Sequence, residues 1–347
     1  MEWTPKPDPL GLPVPLSVLF SLKVFGFLLH MIFMNLWLAG LPTALVLLKF
    51  TSRVAVRLFR AMPFFMAFGI NAGIVPLLFL QTLYPQFFYS ATILQAWFWF
   101  MVIPLLVIAY YCVYLAAFDR FRPVTGLAAA LLLIWIGLTF SASMTLTAAP
   151  ERWRSIFLTT AHAGSVHGLF INLEQESFLR FLLMLGMSFG TVAVFLVVDA
   201  QWFVNDLNYR SDVRRLIVVL YALGLVIYGV AGSMYAPTVM EKVPRFWWFL
   251  AGASLLVGGL LSAAYWRRPG KAVGVALLVA QLVVLLSNAI ARQIVQFHDL
   301  QKWVDLQSIP VRGEWGSFFL FIITFVVALG VIIWIAMTTL YRRRSTS

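Results

Sequence analysis

The sequence has few charged residues and almost no cysteine. Charged side chains make up 11% of its 347 residues, whereas hydrophobic ones make up 62%. A soluble globular domain carries roughly 25% charged residues, so this composition indicates an integral membrane protein. The single cysteine, Cys112, excludes intrachain disulfides, zinc sites built from cysteine pairs and the CxxCH attachment motif of c-type haem within this sequence.

Acidic residues are missing from the middle of the hydrophobic segments. All 13 Asp and Glu residues lie in loops or near the segment ends. Proton pumps and proton-coupled carriers usually have a carboxylate inside the membrane, so the sequence argues against that class. The net charge of +12 does not indicate nucleic-acid binding, because Lys and Arg lie mostly in short loops, as membrane topology requires.

The hydrophobic segments predict about nine transmembrane helices, because each segment exceeds the roughly 20 apolar residues that a spanning helix needs. Of the 25 Lys and Arg residues, 15 lie in one set of loops and 8 in the other. The positive-inside rule therefore places the N-terminus outside and the C-terminus in the cytoplasm. We expect a single all-α transmembrane domain over residues 1–347 in a bacterial-type inner membrane. The predicted spans are 16–47, 61–84, 91–117, 125–148, 177–201, 213–235, 246–265, 271–296 and 315–340.

Two predicted outside loops, 149–176 and 297–314, are long enough to fold over a partner. They contain aromatic residues that provide packing surface and charges of both signs that suit a polar interface rim. A solvated loop is the alternative interpretation. The residues concerned are Trp153, Phe157, Phe170 and Trp303 for the aromatics, and Glu151, Arg152, Arg154, Glu174 and Glu176 for the charges.

The stretch "LLHMIFMNLWLAG", residues 28–40, places His30 inside the first hydrophobic segment. A histidine in hydrocarbon needs a partner or a function. A neutral imidazole is a common ligand of haem iron, so His30 is a candidate ligand of one haem b. The alternative is a hydrogen bond to a neighbouring group, with Asn35, Asn71 and Gln95 as candidate partners. For the amides inside the segments we expect hydrogen bonds between helices.

Several other stretches occur in a definite order along the chain. They are "FFMAFGINAGI" (64–74), "ATILQAWFWFMVIPLL…AAFDRF" (91–121), "FSASMTLTAAPERW", "RFWWFLAGASLLVGG" and "NAIARQIV" (288–295). Together with residues 28–40, these stretches resemble the first, second, third, fourth, seventh and eighth helices of subunit I of cytochrome bd-type quinol oxidases. The resemblance implies that family's helical bundles, with His30 at the position of a haem ligand.

The sequence also departs from the family at most of its functional positions. The positions of the other haem ligands and acidic residues fall on Gln95, Ile103, Phe181 or Arg180, Gly252 and Ala289, and the arginine of the seventh helix falls on Leu250. Arg292 and Gln293 keep the basic and amide pair of the eighth helix. The long segment associated with quinol oxidation is replaced by residues 236–245. Since glycine and phenylalanine cannot ligate iron, we expect a haem-depleted protein that does not reduce oxygen on its own.

Three functions remain open. The first is a membrane subunit of a respiratory-type electron-transfer complex, joined to other membrane subunits and docking an exported c-type cytochrome or similar redox protein on its outer face. The second is a redox-active subunit, with one haem b on His30 or a quinone held near Arg292, Gln293, His298 and Asp299. The third is a small-solute transporter, for which helix breaks at matching positions in the two halves are not evident.

Overall fold

The chain folds into long α-helices. The computed structural model describes residues 11–162, 165–167 and 175–345. Within these ranges the helices are α1 (Leu16–Leu47), α2 (Ser52–Leu83), α3 (Pro85–Gln95), α4 (Trp97–Phe100), α5 (Val102–Ala117), α6 (Arg122–Thr147), α7 (Trp153–Thr160), α8 (Gln175–Val198), α9 (Leu207–Val239), α10 (Arg245–Arg267), α11 (Lys271–Leu300) and α12 (Trp315–Ser345). A short antiparallel pair joins β1 (Ala161–His162) to β2 (Ser165–Val166).

Eight helical segments of the described chain are long and apolar enough to cross a membrane, as expected of a multi-pass membrane protein. The predicted ninth span, 315–340, lies within α12 (Trp315–Ser345). The nine-span count and the orientation stay predictions. The end of the bundle at which α1 begins is called the outer end here, following the predicted orientation.

Three predicted boundaries were wrong. The second helix begins at Ser52 instead of residue 61, and its first turns contain arginines that lie outside the predicted apolar segment. The third predicted span is interrupted at Ala96, whose φ of 46° lies in the left-handed region and cannot continue an α-helix. The loop predicted over 297–314 starts later, because α11 continues to Leu300. The loop predicted over 149–176 contains α7 and the β1–β2 pair.

The spanning helices pack in two groups of four. In the first group α1 packs on α2 and α6, and α5 packs on α2 and α6. In the second group α8 packs on α9 and α11, and α10 packs on α9 and α11. Helices α1 and α8 contact each other and join the two groups. This arrangement places α1, which carries His30, next to α2, α8 and α11.

The outer end is closed by a separate apolar layer. Leu12, Val14, Tyr84, Phe87 and Trp153 are among its buried members. The segment before α1 is held there by backbone hydrogen bonds, because the Leu12 amide donates to the carbonyl of residue 310 (2.9 Å) and the amide of residue 312 donates to the Leu12 carbonyl (2.8 Å). The start of the chain described here and the segment before α12 therefore form one cap over the bundle.

The opposite end carries a buried ion pair. The Asp199 side chain is 6% exposed and accepts hydrogen bonds from Nε and Nη2 of Arg57. The hydroxyl of Tyr209 donates to the same carboxylate over 2.6 Å. Because this two-pronged pair joins α2 to the end of α8, it fixes the two helical groups together at the inner end.

Candidate functional site at the outer half of the bundle

His30 lies against the backbone of α2. Its Nδ1 lies 2.7 Å from the carbonyl oxygen of Gly69. Gly73, one turn further along α2, leaves room for the ring, because a Cβ atom there would come within 2.7 Å of Nδ1 and 2.8 Å of Cε1. In the motif "FGINAG", Gly69 thus provides the hydrogen-bond acceptor for the imidazole and Gly73 provides the space for it.

This contact determines the tautomer of His30. A carbonyl oxygen only accepts, so Nδ1 must carry the proton and donate it. Nε2 then keeps its lone pair and is the nitrogen that can accept a hydrogen bond or ligate a metal. The expectation that Asn35, Asn71 or Gln95 hydrogen-bonds to His30 was wrong. Their amides bond to Thr191, to the carbonyl of Ala67 on the same helix and to Ser143, respectively.

Arg292 and His30 both lie near the ring of Phe27. The guanidinium carbon of Arg292 is 4.2 Å from the centre of the Phe27 ring, and the His30 ring centre is 6.4 Å from it. One turn beyond Arg292 on α11, Gln296 accepts a hydrogen bond from the ammonium group of Lys23. Lys23 is 8% exposed and also lies 5.4 Å above the Tyr84 ring. The sequence analysis did not connect Lys23 to the site, although a lysine inside an apolar segment is itself a signal.

The other residues predicted to hold a quinone are more scattered. The Nε2 of Gln293 is buried and has no hydrogen-bond partner among the described residues. His298 is 49% exposed, and its Nδ1 lies 3.7 Å from Asp299, which pairs with Lys242 over 2.6 Å. Six residues separate His298 from Arg292, so the two side chains leave α11 about 120° apart. The structure therefore brings His30 and Arg292 together, and His298 lies apart from them.

A hydrogen-bonded network crosses the middle of the bundle. Asn35 on α1 donates to Thr191 (3.1 Å) and accepts from Ser188 (2.9 Å), both on α8. Gln281 on α11 donates to Thr191 (3.0 Å) and accepts from Tyr221 on α9 (3.0 Å). These contacts confirm the expectation that buried amides join helices, and they give both the oxygen and the nitrogen of the Asn35 and Gln281 amides a partner on another helix.

Three of the positions that the resemblance equates with haem ligands and acids hold residues with structural contacts. Gln95 is 3% exposed and accepts a hydrogen bond from Ser143, which is fully buried. Phe181 and Ala289 are buried members of the main apolar core. Arg180, next to Phe181, donates to the Thr145 hydroxyl over 3.2 Å. Each of these four side chains therefore has a structural role that explains its presence without a cofactor.

The surroundings of His30 bear on whether it could hold one haem b. Nδ1–H is directed at a backbone carbonyl, the usual second contact of a metal-binding histidine, and this fits ligation through Nε2. A six-coordinate haem would need a second ligand from a facing helix. Among the described residues no group of three or more His, Cys, Asp or Glu side chains could hold a metal ion. Nε2 of His30 is thus the atom that would hold the iron of a haem b, and the bound haem would supply one-electron transfer there.

The outer surface carries the two predicted docking segments. A surface pocket of about 330 Å³ is lined by Phe297, Gln301, Lys302, Asp305 and Gln307, most of it in the predicted loop 297–314. In the other segment the rings of His162 and His167 lie 5.6 Å apart across the β1–β2 pair. Two residues assigned to that docking surface, at positions 170 and 174, lie outside the described residues.

Comparison of the chain with protein-family models and with curated proteins gave no match.

Proposed function

We propose that this protein is a membrane-embedded subunit of a respiratory-type electron-transfer complex that docks a redox partner on its outer face. In this proposal the chain derives from a fold like that of subunit I of bd-type oxidases and does not reduce oxygen on its own. The observation that carries this proposal is that two of the positions at which the family has a functional residue hold residues with structural contacts instead. Gln95 bonds to Ser143, and Phe181 lies in the apolar core.

This observation favours a scaffold because catalysis of oxygen reduction needs bound haem and a route for protons. In the proposed function the bundle instead supplies a rigid support, held at mid-depth by the network around Gln281 and at the inner end by the pair of Arg57 with Asp199. The partner, for which an exported c-type cytochrome is the proposed example, would rest on residues 149–162 and 301–314.

The test is isolation of the intact complex in a mild detergent from cells that express a tagged chain. The expected result is a stoichiometric partner that carries covalently bound haem, visible by haem staining, with no quinol-dependent oxygen uptake by the tagged chain alone. Oxygen uptake by the isolated chain, or a stoichiometric complex without any redox protein, would overturn the proposal.

A second function, a redox-active subunit with one haem b or a quinone, is favoured by one specific observation. His30 donates Nδ1–H to Gly69 and so presents Nε2 as a ligand, beside the guanidinium of Arg292. A bound haem b would supply one-electron transfer at this position. Gly69 would hold the ring in the ligating tautomer, and Arg292 would place a positive charge near any anionic group of the ligand.

The visible spectrum of the purified chain separates the two functions. A dithionite-reduced minus oxidised spectrum, quantified by a pyridine haemochrome assay, should show a b-type band near one haem per chain if the second function is correct. His30→Ala should then remove the band. A colourless, folded preparation would refute the haem and leave the docking subunit.

A further inference from the structure

Three cations gather inside the outer half of the bundle, where the topology of the membrane gives no reason for them. They are Lys23 on α1, Arg180 on α8 and Arg292 on α11. Arg292 lies within electrostatic range of both Lys23 and Arg180. The positive-inside rule explains cations at the inner end, and it does not explain cations between helices at the outer end.

Among the described residues, each of these cations has an uncharged group as its hydrogen-bond or ring partner. Lys23 donates to the Gln296 amide, Arg180 donates to a hydroxyl, and the guanidinium of Arg292 rests on the Phe27 ring. In the described part of the chain no carboxylate forms an ion pair with any of the three.

Two acids nevertheless lie within reach of this region. Asp299 already forms an ion pair with Lys242. Glu176 lies within electrostatic range of Tyr235, as do Arg180 and Arg292. Counting both acids, the described cluster keeps an excess of positive charge. A partly buried cation is costly without a counter-ion, so the cluster is built for a negatively charged ligand.

The depth of the cluster indicates the kind of ligand. Lys23 is seven residues from the start of α1 and Arg292 is eight residues from the end of α11. At 1.5 Å per residue both lie roughly 10–12 Å from the helix ends. Helix α1, with 32 residues, is about 48 Å long and exceeds the roughly 30 Å hydrocarbon layer by about 9 Å at each end. The cluster therefore lies near the boundary between hydrocarbon and headgroups, where lipid phosphates are found.

We propose that Lys23 and Arg292 bind the phosphate group of an anionic phospholipid at the outer end of the bundle. Lysine provides a point charge, and the planar guanidinium of Arg292, whose central carbon lies 4.2 Å from the centre of the Phe27 ring, provides paired N–H donors for a phosphate. The neighbouring Phe20 and Phe297 rings, 5.7 Å apart, provide apolar surface beside the charges. Lipid binding at this site requires neither a haem nor a docked partner, and it shares Arg292 with the predicted quinone site.

The test compares lipid binding by native mass spectrometry and by thermal unfolding of the delipidated full chain in detergent. Phosphatidylglycerol, phosphatidylcholine and inorganic phosphate are added separately. We expect phosphatidylglycerol to bind at least ~10-fold more tightly than phosphatidylcholine, and Lys23→Gln and Arg292→Gln each to remove ~10-fold of that preference, as for loss of one charge-assisted hydrogen bond. The matched control is Lys302→Gln, which removes one exposed positive charge at the same end.

Three results would overturn the proposal. Equal affinity of the native chain for the two lipids would do so without any variant. A loss in Lys302→Gln as large as in Lys23→Gln and Arg292→Gln would show a general charge effect. Stabilisation by inorganic phosphate alone, lost in both cluster variants, would assign the site to a free oxyanion instead of a lipid. If Arg292→Gln fails to fold, Arg292→Lys must keep the preference for phosphatidylglycerol, and its loss there would refute a role for the charge.

Discussion

Close packing between α8 and α9 makes one glycine substitution far more damaging than another on the same helix. Gly186 and Gly190 on α8 are four residues apart and face Gly224 on α9. A Cβ atom at Gly224 would lie 2.6 Å from the carbonyl oxygen of Gly186 and 3.2 Å from the backbone nitrogen of Gly190. The obstacles are backbone atoms, which cannot rotate away as a side chain would. Small residues spaced in this way allow helices to approach closely in membranes.

We therefore predict that Gly224→Ala forces α8 and α9 apart. Overpacking of a filled interior typically costs about 1–3 kcal/mol, and the rigid backbone contact favours the upper part of that range. Alanine also improves helix propensity by about 1 kcal/mol, which partly offsets the loss. Gly229→Ala on the same helix isolates that gain, because nothing lies within 4 Å of a Cβ atom there. The difference between the two variants should thus be about 1–3 kcal/mol in the free energy of unfolding.

The free energy of unfolding of both variants can be measured by titrating SDS into mixed micelles and following helix content by circular dichroism. Gly229→Ala should be as stable as the native chain or slightly more stable, and Gly224→Ala should unfold at a clearly lower SDS fraction. Equal stabilities of the two variants would refute the close approach of α8 and α9.

Three further predictions concern polar groups. Gln281→Leu removes hydrogen bonds to Met187, Thr191 and Tyr221. It should lower the free energy of unfolding by about 1–2 kcal/mol, since each such bond in a membrane contributes about 0.6 kcal/mol. The control Asn71→Leu should change the SDS midpoint little, because among the described residues the exposed Asn71 amide bonds only within its own helix. Asp199→Asn should lower the free energy of unfolding by about 1–3 kcal/mol. This loss is smaller than that for a fully buried ion pair, because the Arg57 side chain is 42% exposed. The control Asp119→Asn, on the surface, should have no measurable effect. His30→Ala should leave the fold intact and, if the chain binds haem b, abolish its absorbance band; a band that survives would remove His30 from the ligand set.

Hydrophobic length and the chemistry of amides predicted much of this architecture. The apolar segments lie in helices, and Asn35, Gln95 and Gln281 join helices as expected, because a buried amide has few alternatives to such bonds. Gly186 and Gly190 form a readable small-residue motif that the sequence analysis overlooked. The sequence alone indicates which polar groups need partners more readily than which partners they find.

Other features could not be predicted, for identifiable physical reasons. The break at Ala96 has neither glycine nor proline to mark it, and alanine is a strong helix former. The partner of His30 is a backbone carbonyl, and every residue of a facing helix has one, so side-chain identity could not select Gly69. The pair of Arg57 with Asp199 joins residues far apart in sequence, so their meeting depends on the packing of α2 against α8.

The charged residues at the two ends of the bundle differ in their partners. At the inner end Arg57 is paired with Asp199, so that cation is explained by structure alone. Between the ends, the network around Gln281 and the contact of Gly186 with Gly224 fill the described interior. At the outer end the described partners of Arg292 do not neutralise it, and it lies beside the one histidine in the first helix that offers a free nitrogen. The outer half therefore keeps positive charge that its described protein partners do not neutralise, and this charge is the basis of the proposed site for an anionic lipid.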